Sequence, residues 1–155
     1  MELDKDLQAR QEARCLAIKA DQAQKKLARM NQQQLDTIVE AVAQAFSAAA
    51  GELAQMAVAE TGFGNAADKT TKNKFASETV LQAIKPMRTV GVLTEDPKEK
   101  LWQIGVPVGL IAAIVPSTNP TSTVCYKAMI ALKAGNSIVF SPHPKAIGCT
   151  LKAAQ

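Results

Sequence analysis

Aromatic residues are scarce in this sequence: Phe, Trp and Tyr make up only 4% of its positions. The core must therefore consist of aliphatic side chains and methionines, and we expect Met56, Met87 and Met129 to fill gaps in it. A strong excess of one charge is also missing, since the net charge is only +4 and basic residues are interleaved with acidic ones. This interleaving is typical of solvated helix faces, where Lys127 and Lys133 are also expected, and it provides no stripe for binding nucleic acid.

Cysteine is also sparse. The three cysteines, Cys15, Cys125 and Cys149, are odd in number and form no CxxC or Cys/His spacing, so neither a disulfide framework nor a metal site is expected. We interpret all three as structural thiols. The acidic, polar start of the chain is not a secretory signal, and the longest apolar stretch, residues 104–115, is too short for a bilayer and contains Pro107. These absences favour a reducing, cytosolic compartment with no membrane partner.

The common nucleotide-binding signatures are missing as well. The sequence contains neither a GxGxxG turn nor a Walker loop, which excludes the standard phosphate-binding turns. No acidic residue ends the second predicted buried strand, so ribose recognition cannot follow the usual Asp/Glu pattern. His143 is the only histidine and has no acidic neighbour to hold one tautomer, which argues against a catalytic triad.

What the sequence does contain is, first, a helical half. An apolar stripe over residues 16–30 predicts one helix. Asn31, with Gln34 three residues later, predicts a capping box at the start of the second helix. A separate third helix is expected over residues 52–60, because glycines and an asparagine follow it. A fourth helix is predicted from about residue 68 to residue 84. It is expected to end before Pro86, because a residue that precedes proline avoids the helical conformation.

The period then changes to that of strands. Residues 89–93 and 101–104 predict two strands joined by a turn. The continuous apolar run over residues 109–115 predicts a strand buried on both faces, as in a parallel sheet. A helix over residues 121–134 and a second buried strand over residues 137–140 complete a strand–helix–strand unit. A further helix is expected to begin soon after.

Two polar segments follow the predicted buried strands: residues 116–123 (PSTNPTST) and residues 141–144 (SPHP). In open α/β sheets, ligands bind beyond the carboxyl ends of the strands. Prolines stiffen the first segment, so Thr118 and Asn119 can be held in place next to the N–H groups of a helix start. An amide there can stabilise an oxyanion. The alternative is that Asn119 and Thr121 are simple turn and cap residues.

Five segments of the sequence resemble the CoA-acylating aldehyde dehydrogenases. They are residues 107–123, 127–133, 141–144, 59–64 and 95–97. This group includes the aldehyde dehydrogenase half of the bifunctional aldehyde–alcohol dehydrogenases and the enzymes of the ethanolamine and propanediol pathways. The resemblance is collinear over essentially the whole chain, and PSTNPTST and SPHP are specific to this branch.

The resemblance implies an α/β fold with N-terminal helices, an oligomerisation-type β-hairpin and the first βαβ unit of a Rossmann-like NAD-binding domain. The implied division assigns residues 1–88 to a helical part of the cofactor domain, 89–107 to the hairpin and 108–155 to the incomplete βαβ unit. In the family, the nucleophilic cysteine lies beyond this unit, and none of the cysteines here matches its motif. The chain alone is therefore expected to be inactive, and its truncated sheet to show open edges and apolar faces.

The implied reaction joins a short-chain aldehyde, such as acetaldehyde, with CoA and NAD to give acyl-CoA and NADH. Either Thr118 or Asn119 would donate to the oxyanion. The residues implied to line the nicotinamide end of the cofactor are Pro116, Ser117, Thr118 and Asn119. Those implied to contact its adenosine part are Ser141, Pro142 and His143.

The implied protein is a cytoplasmic homo-oligomer. Residues 1–30 align with the family's own first helix, so no added targeting helix is expected, and a bacterial microcompartment stays open. Two other hypotheses stay open too. One is a catalytically inactive, stand-alone oligomerisation or scaffolding module. The other is a non-acylating aldehyde dehydrogenase that uses water in place of CoA.

Overall fold

A helical half precedes a hairpin and a strand–helix–strand unit in the computed structural model, which describes residues 4–155. The α/β class predicted from the sequence is confirmed. The helices are α1 Lys5–Leu27, α2 Gln32–Thr61, α3 Ala66–Lys74, α4 Val80–Ile84, α5 Pro120–Lys133 and α6 Ile147–Ala154, and the strands are β1 Gly91–Asp96, β2 Leu101–Gly105, β3 Leu110–Val115 and β4 Ser137–Pro142. None of the helices between residues 4 and 155 is both long and apolar enough to cross a membrane.

Helix α2 begins at the capping box that the sequence predicts. The side-chain oxygen of Asn31 accepts the backbone N–H of Gln34 at 3.0 Å, and the Gln34 side chain accepts the N–H of Asn31 at 3.0 Å. The helix ends at Gly62, which has φ 71° and donates its N–H to the carbonyl of Val58. Glycine adopts this left-handed conformation at little cost, so it terminates the helix cleanly.

The prediction of a separate helix over residues 52–60 is wrong, because α2 continues unbroken to Thr61. The buried face of the helix passes from Phe46 through Ala50 to Leu53, which are 9%, 1% and 2% exposed. This spacing of three and four residues keeps one apolar stripe on one side of a single helix. The packing of that stripe outweighs the low helix propensity of Gly51.

The fourth predicted helix is present with an irregularity. Helices α3 and α4 are joined by a π-helical turn, Phe75–Thr79. Asn65 caps α3 by accepting the N–H of Asp68 at 2.9 Å. Such π-turns often lie near functional sites, because the wider turn changes which side chains share a face.

The parallel sheet consists of β3 and β4, which pair in register and are joined by α5. Helices α1 and α5 both contact these strands, and α2 packs against α5. Ala113 and Val115 are buried, but Ile114 is 77% exposed, so within the described chain this strand is not buried on both faces and shows the open apolar face that the resemblance implies. Alternate residues of a strand point to opposite faces, so the remainder of the described chain covers only one of them. Lys127 is half-buried and donates to the Ile114 carbonyl at 2.8 Å.

The core lies where α2, α5 and β3 meet. Its largest fully buried side chains include Val39, Val115, Val124 and Met129. Met129 therefore fills the core as expected. Met87, in contrast, is 53% exposed, because it lies in the connection after α4 and not on a packed helix face.

Lys133 is also not where the sequence places it. Its side chain is buried, with its amine 2.7 Å from Asp36 Oδ1 and within hydrogen-bonding distance of the Lys85 carbonyl at 3.1 Å. The neighbouring Gln32 accepts the backbone N–H of Thr89 at 2.7 Å. A buried ammonium is tolerated when it is paired and hydrogen-bonded. These contacts attach the base of the hairpin to the helical half.

The hairpin is antiparallel, and β1 begins at Gly91 and extends to Asp96, beyond the predicted strand over residues 89–93. Asp96 forms the turn by accepting the N–H groups of Lys98 at 2.9 Å and Glu99 at 3.1 Å, as aspartate commonly does. The apolar side chains of β2 are left open to solvent. They are Leu101 (57% exposed), Trp102 (59%) and Ile104 (57%).

Candidate functional site

The two polar segments that follow the buried strands lie side by side. Val115 pairs with Pro142 in the register of the parallel strands. The backbone N–H of His143 donates to the carbonyl of Val115 at 3.0 Å. Residues 116–119 and 141–143 therefore share the carboxyl edge of the sheet, where ligands of open α/β sheets bind.

Asn119 occupies the cap position of α5, but its side chain does not cap the helix. Its backbone carbonyl accepts the N–H of Thr123 at 3.2 Å. Its side-chain oxygen instead accepts the amine of Lys72 at 3.0 Å. Since Pro120 is the first helical residue, the chain direction into α5 is also fixed. The amide of Asn119 is thus held by a contact from outside its own segment, which a simple cap residue would not need.

One face of α3 contacts the first segment at Thr118, Asn119 and Thr121. We call the contacting residues Lys69, Lys72 and Asn73 the α3 clamp. Residues three and four apart lie on the same side of a helix, so these side chains point in one direction. Their contacts are Lys69 Nζ to the Thr118 carbonyl at 2.7 Å, Lys72 Nζ to Asn119 Oδ1 at 3.0 Å, and Thr121 Oγ1 to Asn73 Oδ1 at 2.9 Å. The segment is therefore fixed at three positions by side chains of a different element.

Two of the clamp residues are buried. Lys69 is 8% exposed, and burial, together with the nearby charge of Lys72, lowers the pKa of its amine. Asn73 is 1% exposed and also donates to the Ala50 carbonyl of α2 at 3.0 Å. A buried polar group without a partner is costly, so these hydrogen bonds make the position of α3 relative to α2 and α5 specific.

The clamp was not predicted from the sequence. The only signal available was the spacing of Lys69, Lys72 and Asn73 on one side of a predicted helix. Lysines in such a pattern more often mark a solvated face. Only the fold shows that residues about fifty positions later come against that face.

The second segment is held mainly through its own backbone. The carbonyl of His143 accepts the N–H of Ala146 at 2.9 Å, and its Nδ1 accepts the N–H of Lys145 at 3.1 Å. Ser141 and His143 are exposed. Their side chains are therefore accessible at the edge of the sheet, as a role in contacting a ligand requires.

Glu60, at the end of α2, binds the start of α6. Its carboxylate oxygens accept the N–H of Gly148 at 2.8 Å and that of Cys149 at 2.7 Å. Burial tends to raise the pKa of Glu60, but these hydrogen bonds outweigh it and hold the pKa below the usual value. The first N–H groups of a helix have no partner within the helix, so a carboxylate there both satisfies them and complements the helix dipole.

The cysteines are free thiols, with Cys125 and Cys149 buried and Cys15 exposed. Burial raises the pKa of Cys125 and that of Cys149 to about 12, and for Cys149 the neighbouring Glu60 adds to the rise. Thiolates are the nucleophilic form, so neither buried cysteine is activated for attack. Their geometry agrees with the structural role expected from the sequence.

Comparison with known proteins decides the family. The sequence model of the aldehyde dehydrogenase family matches residues 6–155. The chain belongs to the aldehyde dehydrogenase family. Among curated relatives, the bifunctional aldehyde-alcohol dehydrogenase AdhE of Escherichia coli is 47% identical to this chain. The match covers 92% of this chain and 16% of the Escherichia coli protein. The resemblance drawn from the sequence is thereby confirmed.

Solved structures support the same assignment. The acetylating aldehyde dehydrogenase of Geobacillus thermoglucosidasius superposes with a TM-score of 0.96 at 54% identity, over 99% of this chain and 34% of that one. A more distant neighbour is an engineered glycolyl-CoA reductase with bound NADP+, with a TM-score of 0.68 at 29% identity over 87% of this chain and 30% of that one. This aldehyde dehydrogenase chain thus spans about a third of its structural neighbours and about a sixth of the Escherichia coli relative.

Proposed function

We propose that the chain forms part of an NAD-dependent, CoA-acylating aldehyde dehydrogenase, which converts a short-chain aldehyde, CoA and NAD to acyl-CoA and NADH. The observation that carries the proposal is the clamped segment of residues 116–119 at the end of β3. It holds an amide beside a helix start, in a fold shared with an acetylating aldehyde dehydrogenase. Held donors of this kind stabilise the charge that develops on a carbonyl oxygen.

In this proposal, residues 116–119 position the aldehyde carbonyl and the nicotinamide, and residues 141–143 contact the adenosine. NAD supplies the hydride acceptor when it is bound. Both segments lie at the same sheet edge, with exposed polar atoms on Ser141 and His143, which fits an extended dinucleotide. The nucleophilic cysteine would come from the part of the family fold that this chain does not span.

We propose NAD, and not NADP, as the preferred cofactor. An Asp or Glu near the end of the second strand normally binds the ribose hydroxyls of NAD. Ser141, Pro142 and His143 hold that place here, so the usual selecting carboxylate is missing from this segment. The NADP+ bound to the engineered glycolyl-CoA reductase makes the comparison of both cofactors necessary.

We further propose that the hairpin joins copies of the protein into a homo-oligomer. Leu101, Trp102 and Ile104 are each more than half exposed on β2. Exposed apolar patches of this kind commonly mark protein interfaces. We place the protein in the cytoplasm, where its free cysteines would stay reduced.

The test is a chimaera in which this chain replaces the matching third of the Geobacillus enzyme. NADH formation is measured with acetaldehyde, with and without CoA, and with NAD+ and NADP+ in parallel. We expect turnover that depends on CoA and is faster with NAD+, and because residues 141–143 carry no selecting carboxylate we expect NADP+ to be used as well, at a lower rate. The isolated chain, assayed in parallel, should be inactive.

Two outcomes would contradict the proposal. Aldehyde oxidation that does not need CoA would indicate a non-acylating enzyme. A chimaera that folds and assembles but lacks turnover would favour the scaffolding hypothesis. Circular dichroism and size-exclusion chromatography separate that second outcome from simple misfolding.

A further inference from the structure

We propose that Lys72 is a positioning residue that fixes the side-chain amide of Asn119, so that the amide NH₂ of Asn119 donates to the substrate carbonyl and the hydroxyl of Thr118 does not. The inference rests on the proposed function and deepens it. It assigns the donor within the first segment and identifies the residue that orients it. Neither assignment could be made from the sequence.

The ammonium group of Lys72 determines which atom of the Asn119 amide faces it. A lysine amine at neutral pH has three N–H donors and no acceptor. The Asn119 atom 3.0 Å from Lys72 Nζ must therefore be the amide oxygen. The NH₂ group, on the other side of the same planar amide, points away from Lys72 and keeps its donors for another partner. Rotating the amide by 180° would place donors against donors and a positive charge.

The backbone on both sides of this amide is already fixed. Lys69 holds the carbonyl of Thr118 at 2.7 Å, and the carbonyl of Asn119 accepts the N–H of Thr123 at 3.2 Å. With the backbone fixed, only the side-chain torsions of Asn119 can still change, and the contact with Lys72 restricts them. Hydrogen bonds to charged groups are shorter and stronger than neutral ones, so a single contact of this kind is enough to favour one orientation.

Lys72 also changes the strength of the donor. A cation bonded to an amide oxygen draws electron density from the amide and makes its N–H groups better donors. Thr118 is placed differently, since its side chain is exposed and the atom that the clamp holds is its carbonyl. Its hydroxyl is therefore free to rotate, whereas a pre-oriented donor contributes most to catalysis.

The first test uses the chain itself and needs no activity. The side-chain NH₂ signals of Asn119 are assigned by nitrogen-15 NMR in the unsubstituted chain, in Lys72→Met and in Lys74→Met. Lys74 is exposed on α3 about 200° around the helix from Lys72, which makes it the matched control. We expect Lys72→Met to shift both NH₂ signals of Asn119 and Lys74→Met to leave them unchanged. Signals that do not respond to Lys72→Met would overturn the positioning role.

The second test is a double-mutant cycle in the chimaera. Asn119→Ala should lower kcat about 100-fold, the low end for loss of one oxyanion donor. Lys72→Met should lower kcat about tenfold, as expected when a reacting group is held in a poorer orientation. If Lys72 acts through Asn119, the double variant should match Asn119→Ala within about twofold, because coupled sites are not additive. The KM values for NAD+ and CoA should stay within about twofold, since a positioning role alters orientation and not binding.

Two results of this cycle would overturn the inference. A further tenfold loss on adding Lys72→Met to Asn119→Ala would place Lys72 directly on substrate or cofactor. A Thr118→Ala variant as impaired as Asn119→Ala would make Thr118 the donor. An unsubstituted chimaera without turnover would count against the proposed function, while the NMR test would still decide whether Lys72 orients Asn119.

Discussion

The two strand-end segments share one edge of the sheet but are held in different ways. Thr118 and Asn119 of the first segment are held by lysine side chains of α3, whereas residues 141–144 are held mainly by backbone hydrogen bonds. In the first segment, one of these contacts fixes the orientation of a side-chain amide, that of Asn119. This difference supports the roles proposed above, in which the first segment orients the reacting groups and the second contacts the adenosine.

The largest effect should come from breaking the clamp at Asn73, its most deeply buried member. Asn73→Ala removes the partner of Thr121 and the bond to the Ala50 carbonyl. We expect the free energy of unfolding to fall by about 3 kcal/mol, because polar groups are left buried without their partners. Urea unfolding of the chain measures this. Gln82→Ala, an exposed change on α4, should stay within about 0.5 kcal/mol, and an equally small effect of Asn73→Ala would mean that the clamp does not hold the segment.

A smaller and pH-dependent effect should come from Glu60, which anchors the helix that follows the second segment. Burial opposes its ionisation, but the N–H groups of Gly148 and Cys149 hold its folded pKa below the usual 4.5. The charged carboxylate therefore stabilises the fold above pH 4.5, and this contribution is lost as the pH falls through the lowered folded value. Glu60→Gln should cost about 0.5 kcal/mol at pH 7, the scale of a charge at a helix terminus.

Urea unfolding at several pH values between 7 and 3 checks this expectation. The difference between Glu60→Gln and the unsubstituted chain should shrink as the pH falls below the folded pKa of Glu60. The matched control is Glu52→Gln, because Glu52 lies on the same helix and contacts Lys152 of α6 only at 3.8 Å, with both side chains exposed. Such exposed pairs contribute little. A Glu60→Gln difference that persists unchanged at pH 3 would contradict the electrostatic explanation.

The smallest effect should come from the second segment itself. In His143→Ala the side chain loses its bond from Lys145, but the backbone contacts to Val115 and Ala146 remain. We expect the free energy of unfolding to change by less than about 0.5 kcal/mol, as for most exposed positions. Thermal or urea unfolding of the chain measures it. A loss above about 1 kcal/mol would show that this segment depends on side chains as the first one does.

Much of the fold follows from local patterns in the sequence. The capping box at Asn31, the hairpin and the parallel strand–helix–strand unit were all predicted, because each depends on residues close together in the chain. The residues proposed for the site, from Pro116 to Asn119 and from Ser141 to His143, lie at one sheet edge, while their roles stay predictions. That placement follows from strand direction alone.

The failures share one cause, which is long-range packing. The burial of Lys133 depends on Asp36, 97 residues earlier. The exposure of Ile114 depends on which elements cover β3, and the roles of Lys69 and Lys72 depend on a segment nearly fifty residues later. A periodic pattern shows that a residue is on a given helix face, but it does not show what that face meets.

The contact between Glu60 and α6 constrains the number of residues in α2. Helix α2 has 30 residues and begins after the cap at Asn31. Near its other end, the Glu60 carboxylate must meet the N–H groups of Gly148 and Cys149. Inserting one residue anywhere in α2 would turn Glu60 by about 100° around the helix axis and move it by about 1.5 Å. The helix can therefore tolerate substitution on its exposed face far better than any change in its number of residues.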